Sequence, residues 1–163
     1  GIKKFVKDIS GVIDAVIWVD LPTDVVEEKQ LREALKKENI ALIKLITPTT
    51  SDERIKEIVN SAEGFIYSVN VEGQSGVKSA NIDRVNSQIE KIKKFTKIPV
   101  VSGFGIKNEE DVKTFSKSKA DGIVIGSAII KEIQKKNAET KDKLILAKFL
   151  KDYCKKLINN LNL

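Results

Sequence analysis

Glycine residues end two consecutive strand-like segments of this sequence. Gly103 and Gly105 flank Phe104 in the run VVSGFGI, and Gly126 and Ser127 follow GIVI, where a helical pattern begins. Glycine at a strand end often marks only a tight turn. Two such loops in succession, one of them opening a helix, present bare backbone N–H groups and a helix dipole that stabilise an anion. The two loops together predict a phosphate-binding site.

Few side chains in this sequence are suited to proton transfer. The 163 residues include no histidine and one cysteine, Cys154. Zinc sites of the usual histidine and cysteine type are therefore excluded for these residues, as are nucleophilic sites built on a Ser-His or Cys-His pair. Cys154 lies in an apolar helical pattern and is interpreted as a packing residue. Any acid or base must be a carboxylate, a lysine or a tyrosine.

The composition predicts a soluble globular domain, because 41% of the residues are hydrophobic and 32% are charged. No apolar run approaches the roughly 18 residues of a membrane span, and the first residues lack the apolar segment of a secretory signal. We therefore expect a cytoplasmic protein with no membrane partner. The net charge of +6 arises from lysines that lie beside acidic residues. This pattern favours a solvated surface over a nucleic-acid site.

Apolar periodicity alternates between helical and strand spacing along the chain. After an initial helical face, short apolar runs at 15–19, 42–46, 65–69, 98–102 and 122–125 are each followed by a helical pattern. Runs that are apolar on both faces are typical of strands in a parallel sheet. We predict five successive βα units in a single domain, 1–163, with Thr50 and Asn108 as N-caps of the helices after the second and fourth strands.

Five units leave two architectures open. A closed eight-stranded barrel takes about 250 residues, so these units form either an open α/β sheet or part of a barrel. In a barrel, the loops after strands seven and eight are the usual phosphate site. The two glycine loops follow the last two predicted strands of this sequence.

Three segments carry a resemblance to a known family. EGFIYSVNVEGQSGVKS, IPVVSGFGIKNEEDV and ADGIVIGSAIIKEI, in this order and spacing, resemble the tryptophan synthase alpha chain family, and DAVIWVDLP and LITPTTSDERI resemble its two preceding strands. The resemblance implies an α/β fold of the (β/α)8 TIM-barrel type, of which this chain supplies five βα units and flanking helices. It also implies a lyase that cleaves indole-3-glycerol phosphate by a retro-aldol step into indole and glyceraldehyde 3-phosphate.

The resemblance further implies the roles of individual residues. The substrate phosphate would contact Gly76, Gly103, Phe104, Gly105, Gly126 and Ser127. The substrate pocket and its closing loop would include Tyr67, Ser75, Ile17 and Val124. The segment Asp20-Leu21-Pro22 matches a short loop that faces the beta chain in a complex of two alpha and two beta chains. No cofactor is expected on this chain, since pyridoxal phosphate belongs to the beta chain.

Catalytic carboxylates are not expected within 1–163. In the family, the general acid/base glutamate and the aspartate that polarises the indole nitrogen lie on strands that would precede Gly1. Asn70 and Val71 replace the usual Ser-Arg pair at the start of the closing loop, and Trp18 is interpreted as a packing residue on the helix side of its strand. One alternative is a non-catalytic half-barrel that binds phosphate or assembles with another half. A second alternative is a different phosphate-binding barrel enzyme.

Overall fold

The computed structural model describes residues 1–19, 21–22, 25–69, 79–103 and 106–161. Five strands and seven helices lie within these ranges. The strands are β1 Ala15–Ile17, β2 Ala41–Ile46, β3 Ile66–Val69, β4 Val100–Gly103 and β5 Gly122–Val124. The helices are α1 Ile2–Ile9, α2 Val26–Lys37, α3 Asp52–Asn60, α4 Ser79–Lys93, α5 Glu109–Phe115, α6 Ser127–Glu139 and α7 Lys143–Ile158.

The five strands form one parallel sheet in the order β1-β2-β3-β4-β5, which is also their order along the chain. A doubly wound sheet reverses its strand order at a switch point and carries helices on both faces. The uninterrupted order found here is that of a barrel wall. The sheet is a curled half-barrel with helices outside, which confirms the predicted barrel type and the five βα units.

The outer face of the sheet packs against the helices. Ile66 and Val100 are fully buried in a core formed with residues of α3, α4 and α5, while Leu42 and Val16 pack against α1 and α2. Because successive side chains of a strand alternate between faces, the residues between these lie on the inner, concave face. The concave face is half open, and Ile17 is 44% exposed there.

Trp18 lies on the helix side of β1, as predicted. Its ring contacts Phe5 of α1 edge to face, with 5.5 Å between the ring centroids and 85° between the planes. Aromatic pairs favour this arrangement because the positive edge of one ring meets the negative face of the other. Trp18 is therefore a packing residue between β1 and α1.

Two predicted helix caps have different outcomes. Asn108 caps α5, and its side-chain oxygen accepts a hydrogen bond from the Asp111 N–H at 2.9 Å. The predicted cap at Thr50 is wrong. The hydroxyl oxygen of Thr50 instead accepts from the Thr47 N–H at 3.1 Å, which closes the turn after β2. Ser51 therefore takes the capping position of α3.

At the amino ends of the strands, Asp121 joins β4 to α4. Its carboxylate accepts hydrogen bonds from the Val100 N–H at 2.7 Å and from Lys93 Nζ at 2.8 Å. Burial raises the pKa of Asp121, but the hydrogen bonds from Lys93 and Val100 outweigh it, and the pKa lies below its ordinary value of 3.8. In barrels, this edge serves stability rather than chemistry.

We expect Asp121→Asn to lower the free energy of unfolding by about 1 kcal/mol at neutral pH, because charge-assisted hydrogen bonds are lost. A lowered carboxylate pKa stabilises the folded state above the ordinary value of 3.8, and this contribution is lost as the pH falls through the lowered pKa. Urea unfolding at about pH 6 and about pH 3 should show that the difference in unfolding free energy between the unmodified protein and Asp121→Asn is smaller at the lower pH. An equal difference at both pH values would contradict this account. Asp8→Asn, which alters an exposed pair with Lys4, is the control.

Candidate functional site

The carboxyl ends of β3, β4 and β5 lie side by side. Val69 pairs with Gly103, and Gly103 pairs with Val124, so these three residues form one row at this edge of the sheet. The carboxyl ends of β4 and β5 are therefore neighbours at Gly103 and Val124. The structure thus brings the Gly103 and Gly126 segments to neighbouring strand ends, as the sequence predicts.

Gly103 lies directly against the side chain of Tyr67. A Cβ atom at residue 103 would lie 2.1 Å from Tyr67 Oη and 2.6 Å from Tyr67 Cζ. Such distances are far below van der Waals contact, so only glycine permits this position of the tyrosine ring. Sequence reasoning assigned Gly103 to backbone contacts with phosphate and missed this second requirement.

Gly126 and Ser127 open α6 at the carboxyl end of β5. Gly126 is the N-cap and provides no side-chain hydrogen bond to the first turn of the helix. A Cβ atom at Gly126 would meet nothing within 4 Å, and Ser127 is exposed. The first N–H groups of an α-helix have no partner within the helix. The start of α6 therefore offers uncapped donors beside open space.

The predicted pocket residues share the concave face. Tyr67 pairs with Val101 on β4, and Val124 lies two residues beyond Gly122 on β5. Ile17 lies on β1, the opposite edge strand. Val124 is 37% exposed, so its apolar side chain is accessible on this face. The structure thus places Tyr67 and Val124 near Gly103 and Ile17 on the far side of the same face.

Several predicted residues lie outside the described residues. These are Asp20, Asn70, Val71, Ser75, Gly76, Phe104 and Gly105.

One groove among the described residues lies apart from these strand ends. A groove of about 810 Å³ lies between α1 and α2, and none of its lining residues belongs to β3, β4, β5 or α6. The described ranges contain no group of three or more His, Cys, Asp or Glu that could hold a metal ion. None of the helices in those ranges combines the length and the hydrophobicity that a membrane span requires.

A family model described as "Tryptophan synthase alpha chain" matches residues 1–159. The tryptophan synthase alpha chain of Bacillus thuringiensis (strain Al Hakam) is 38% identical over 140 residues, which are 85% of this chain and 53% of that protein. The corresponding protein of Geotalea daltonii is 36% identical over 135 residues, or 82% of this chain and 50% of the relative. The chain thus spans about half the length of the curated relatives it matches.

Solved structures agree with these relatives. The tryptophan synthase A-subunit of Pyrococcus furiosus superposes with a TM-score of 0.76 at 29% identity, covering 98% of this chain and 61% of that one. The alpha subunit from Campylobacter jejuni gives a TM-score of 0.73 at 35% identity and covers 94% of this chain and 59% of that one. Sequence and fold agree over nearly the whole chain, which belongs to the tryptophan synthase alpha chain family.

Proposed function

We propose that this chain forms the carboxyl-terminal five βα units of an alpha-chain barrel that cleaves indole-3-glycerol phosphate into indole and glyceraldehyde 3-phosphate. The observation that carries the proposal is the adjacency of two strand ends. Gly103 ends β4, and α6, which has no side-chain cap, begins at Ser127 just beyond the neighbouring β5. The substrate in this proposal follows from membership of the tryptophan synthase alpha chain family.

The phosphate would bind at the start of α6. Its oxygens would accept hydrogen bonds from the first N–H groups of the helix and from the Ser127 hydroxyl, and the helix dipole would add about 0.3–2 kcal/mol. Gly103, Phe104 and Gly105 would contact it from the β4 side and Gly76 from the closing loop. The absence of a side-chain cap on α6 and the open space at Gly126 support this assignment.

The indole ring would lie on the concave face. Ile17 and Val124 offer apolar surface there, and both are more than one third exposed. Burial of an apolar ring against such surface is favourable by roughly 25 cal/mol per Å². Tyr67 would lie beside the reacting carbon chain, and Ser75 would act from the closing loop.

Retro-aldol cleavage requires protonation of the indole ring and removal of a hydroxyl proton. We propose that a glutamate and an aspartate from the remainder of the barrel carry out these transfers. The residues of this chain would bind the phosphate, orient the glycerol chain and exclude water from the ring. If the five units act without those carboxylates, they would bind the substrate without cleaving it, which is the non-catalytic alternative.

The proposed function includes a partner protein and a cellular location. One similar structure is described as the tryptophan synthase complex from Pyrococcus furiosus, with a TM-score of 0.75 at 29% identity. We propose that the segment Asp20-Leu21-Pro22 contacts a beta chain, which would hold pyridoxal phosphate, while this chain needs no cofactor. A cytoplasmic location would suit such an assembly.

Ser127→Asp tests the phosphate assignment. The substitution puts a negative charge where the anion would bind, so we expect indole-3-glycerol phosphate to bind at least about tenfold more weakly, equivalent to about 1.4 kcal/mol. Titration calorimetry on the intact polypeptide that contains residues 1–163 measures this change, and far-UV circular dichroism checks the helix content. Unaltered affinity in the variant would show that the phosphate lies elsewhere.

A matched control is Ser51→Asp. Ser51 is the exposed N-cap of α3, at the end of β2 rather than β5, and aspartate is an equally good cap. This variant adds the same charge at another helix start and should leave binding unchanged. Equal weakening by both variants would point to general charge repulsion instead of a local site.

A further inference from the structure

Two buried hydroxyl groups have no hydrogen-bond partner among the described residues. Ser68 is 1% exposed and Ser102 is fully buried, and neither Oγ atom forms a hydrogen bond with a described residue. The two serines are direct partners in the pairing of β3 with β4. Their side chains therefore leave the same face of the sheet on neighbouring strands.

The face in question is the helix side. Ser68 follows Ile66 by two residues and Ser102 follows Val100 by two, and both of those apolar residues are fully buried in the core with the helices. Buried polar groups in native proteins nearly always have a protein or water partner. A pair of such hydroxyls in an apolar layer therefore indicates either a bound polar molecule or a hydrogen bond between the two serines.

A third polar group lies in line with the two serines. Gln88 of α4 is buried, and its amide nitrogen donates to the Ile46 carbonyl oxygen at 3.4 Å. Ile46 pairs with Ser68, so the polar groups form a row across the carboxyl halves of β2, β3 and β4. A direct hydrogen bond between the two serine hydroxyls would use only one of their two protons. A water molecule, with two donors and two acceptors, satisfies both hydroxyls.

We infer that Ser68 and Ser102 bind one internal water molecule that bridges the carboxyl ends of β3 and β4. The bridge holds the carboxyl ends of β3 and β4 in position at the substrate site, and this role rests on the proposed function. Tyr67 precedes Ser68 and Gly103 follows Ser102, so the same two strand segments carry the bridge on one face and the tyrosine-glycine contact on the other. The tyrosine ring lies directly over Gly103, so a shift of one strand against the other would alter this contact.

A crystal structure at better than about 2 Å tests the bridge without reference to substrate. We expect density for one water within hydrogen-bond distance of both Oγ atoms, and its loss in the double variant Ser68→Ala/Ser102→Ala. A direct contact between the two serines, or an empty site in the unmodified protein, would overturn the inference. This result is independent of whether the proposed function holds.

Binding of indole-3-glycerol phosphate tests the positioning role. Replacing both hydroxyls together leaves no buried hydroxyl without a partner, so the double variant should keep the urea midpoint of the unmodified protein while binding the ligand about fivefold more weakly. The single Ser102→Ala variant leaves the Ser68 hydroxyl with one partner fewer and should lower the urea midpoint in addition to the ligand affinity. Unchanged affinity in the double variant would overturn the positioning role. Failure of the unmodified protein to bind would instead refute the proposed function and, with it, the positioning role, while the water density still decides the bridge.

Discussion

Replacing Gly103 with alanine is expected to lower the free energy of unfolding by about 1–3 kcal/mol, the usual range for overpacking. The new Cβ atom would lie 2.1 Å from Tyr67 Oη and 2.5 Å from Cε2, so the ring must leave its position. Part of the clash is relieved because Tyr67 is only half-buried and the concave face is open. Urea unfolding followed by circular dichroism measures the loss.

The sign of this effect should reverse when the ring is removed. In a Tyr67→Ala background, alanine at residue 103 no longer meets the phenol, and alanine is favoured over glycine within a strand by roughly 0.5–1 kcal/mol. The double-mutant cycle therefore predicts a coupling energy between the two substitutions that is larger than the effect of Gly103→Ala measured in the Tyr67→Ala background. Additive free energies would show that the contact between Tyr67 and Gly103 does not restrict residue 103.

Gly122→Ala provides a matched control on the neighbouring strand. Gly122 lies on β5, and its added Cβ atom would meet Val101 Cγ2 at 3.4 Å, an ordinary contact. We expect this variant to be neutral or slightly more stable. A loss as large as that of Gly103→Ala would mean that alanine is disfavoured throughout this part of the sheet, and the tyrosine would not be the cause.

The order of βα units could be predicted from the sequence because each strand is an apolar run interrupted by turn residues. The helix Val26–Lys37 begins and ends where its periodicity indicates. The first strand is shorter than predicted, since its pairing with β2 ends at Ile17. Hydrophobic periodicity reports burial rather than hydrogen bonding, so it does not predict the residue at which the backbone pairing of two strands ends.

The glycine loops could be located from sequence, whereas the contact that requires Gly103 could not. Tyr67 and Gly103 lie on different strands, and no local pattern joins them. The buried serines illustrate the same limit, because Ser68 and Ser102 are unremarkable polar residues until the pairing of β3 with β4 places them side by side. Sequence reasoning also passed over Lys44, a charge within a strand predicted to be buried on both faces.

Lys44 forms a buried ion pair with Glu28 between β2 and α2. The two side chains are 6% and 3% exposed, and Arg32 approaches the same carboxylate oxygen at 3.5 Å. The pair lines a cavity of about 80 Å³ together with Trp18. Because desolvation opposes the Coulomb attraction, the pair is worth little relative to apolar residues of the same size, but either partner left alone is strongly unfavourable.

We therefore expect Lys44→Met to lower the free energy of unfolding by about 3–5 kcal/mol, since it leaves the Glu28 carboxylate buried. The double variant Glu28→Leu/Lys44→Met should recover most of this loss, because Arg32 is partly exposed and keeps access to water. Lys4→Met, in the exposed pair with Asp8, should change stability by less than about 1 kcal/mol. Urea unfolding of the four proteins separates the possibilities. A double variant as unstable as Lys44→Met would show that the ion pair itself stabilises the fold, whereas a harmless Lys44→Met would show that the buried carboxylate finds enough compensation in Arg32.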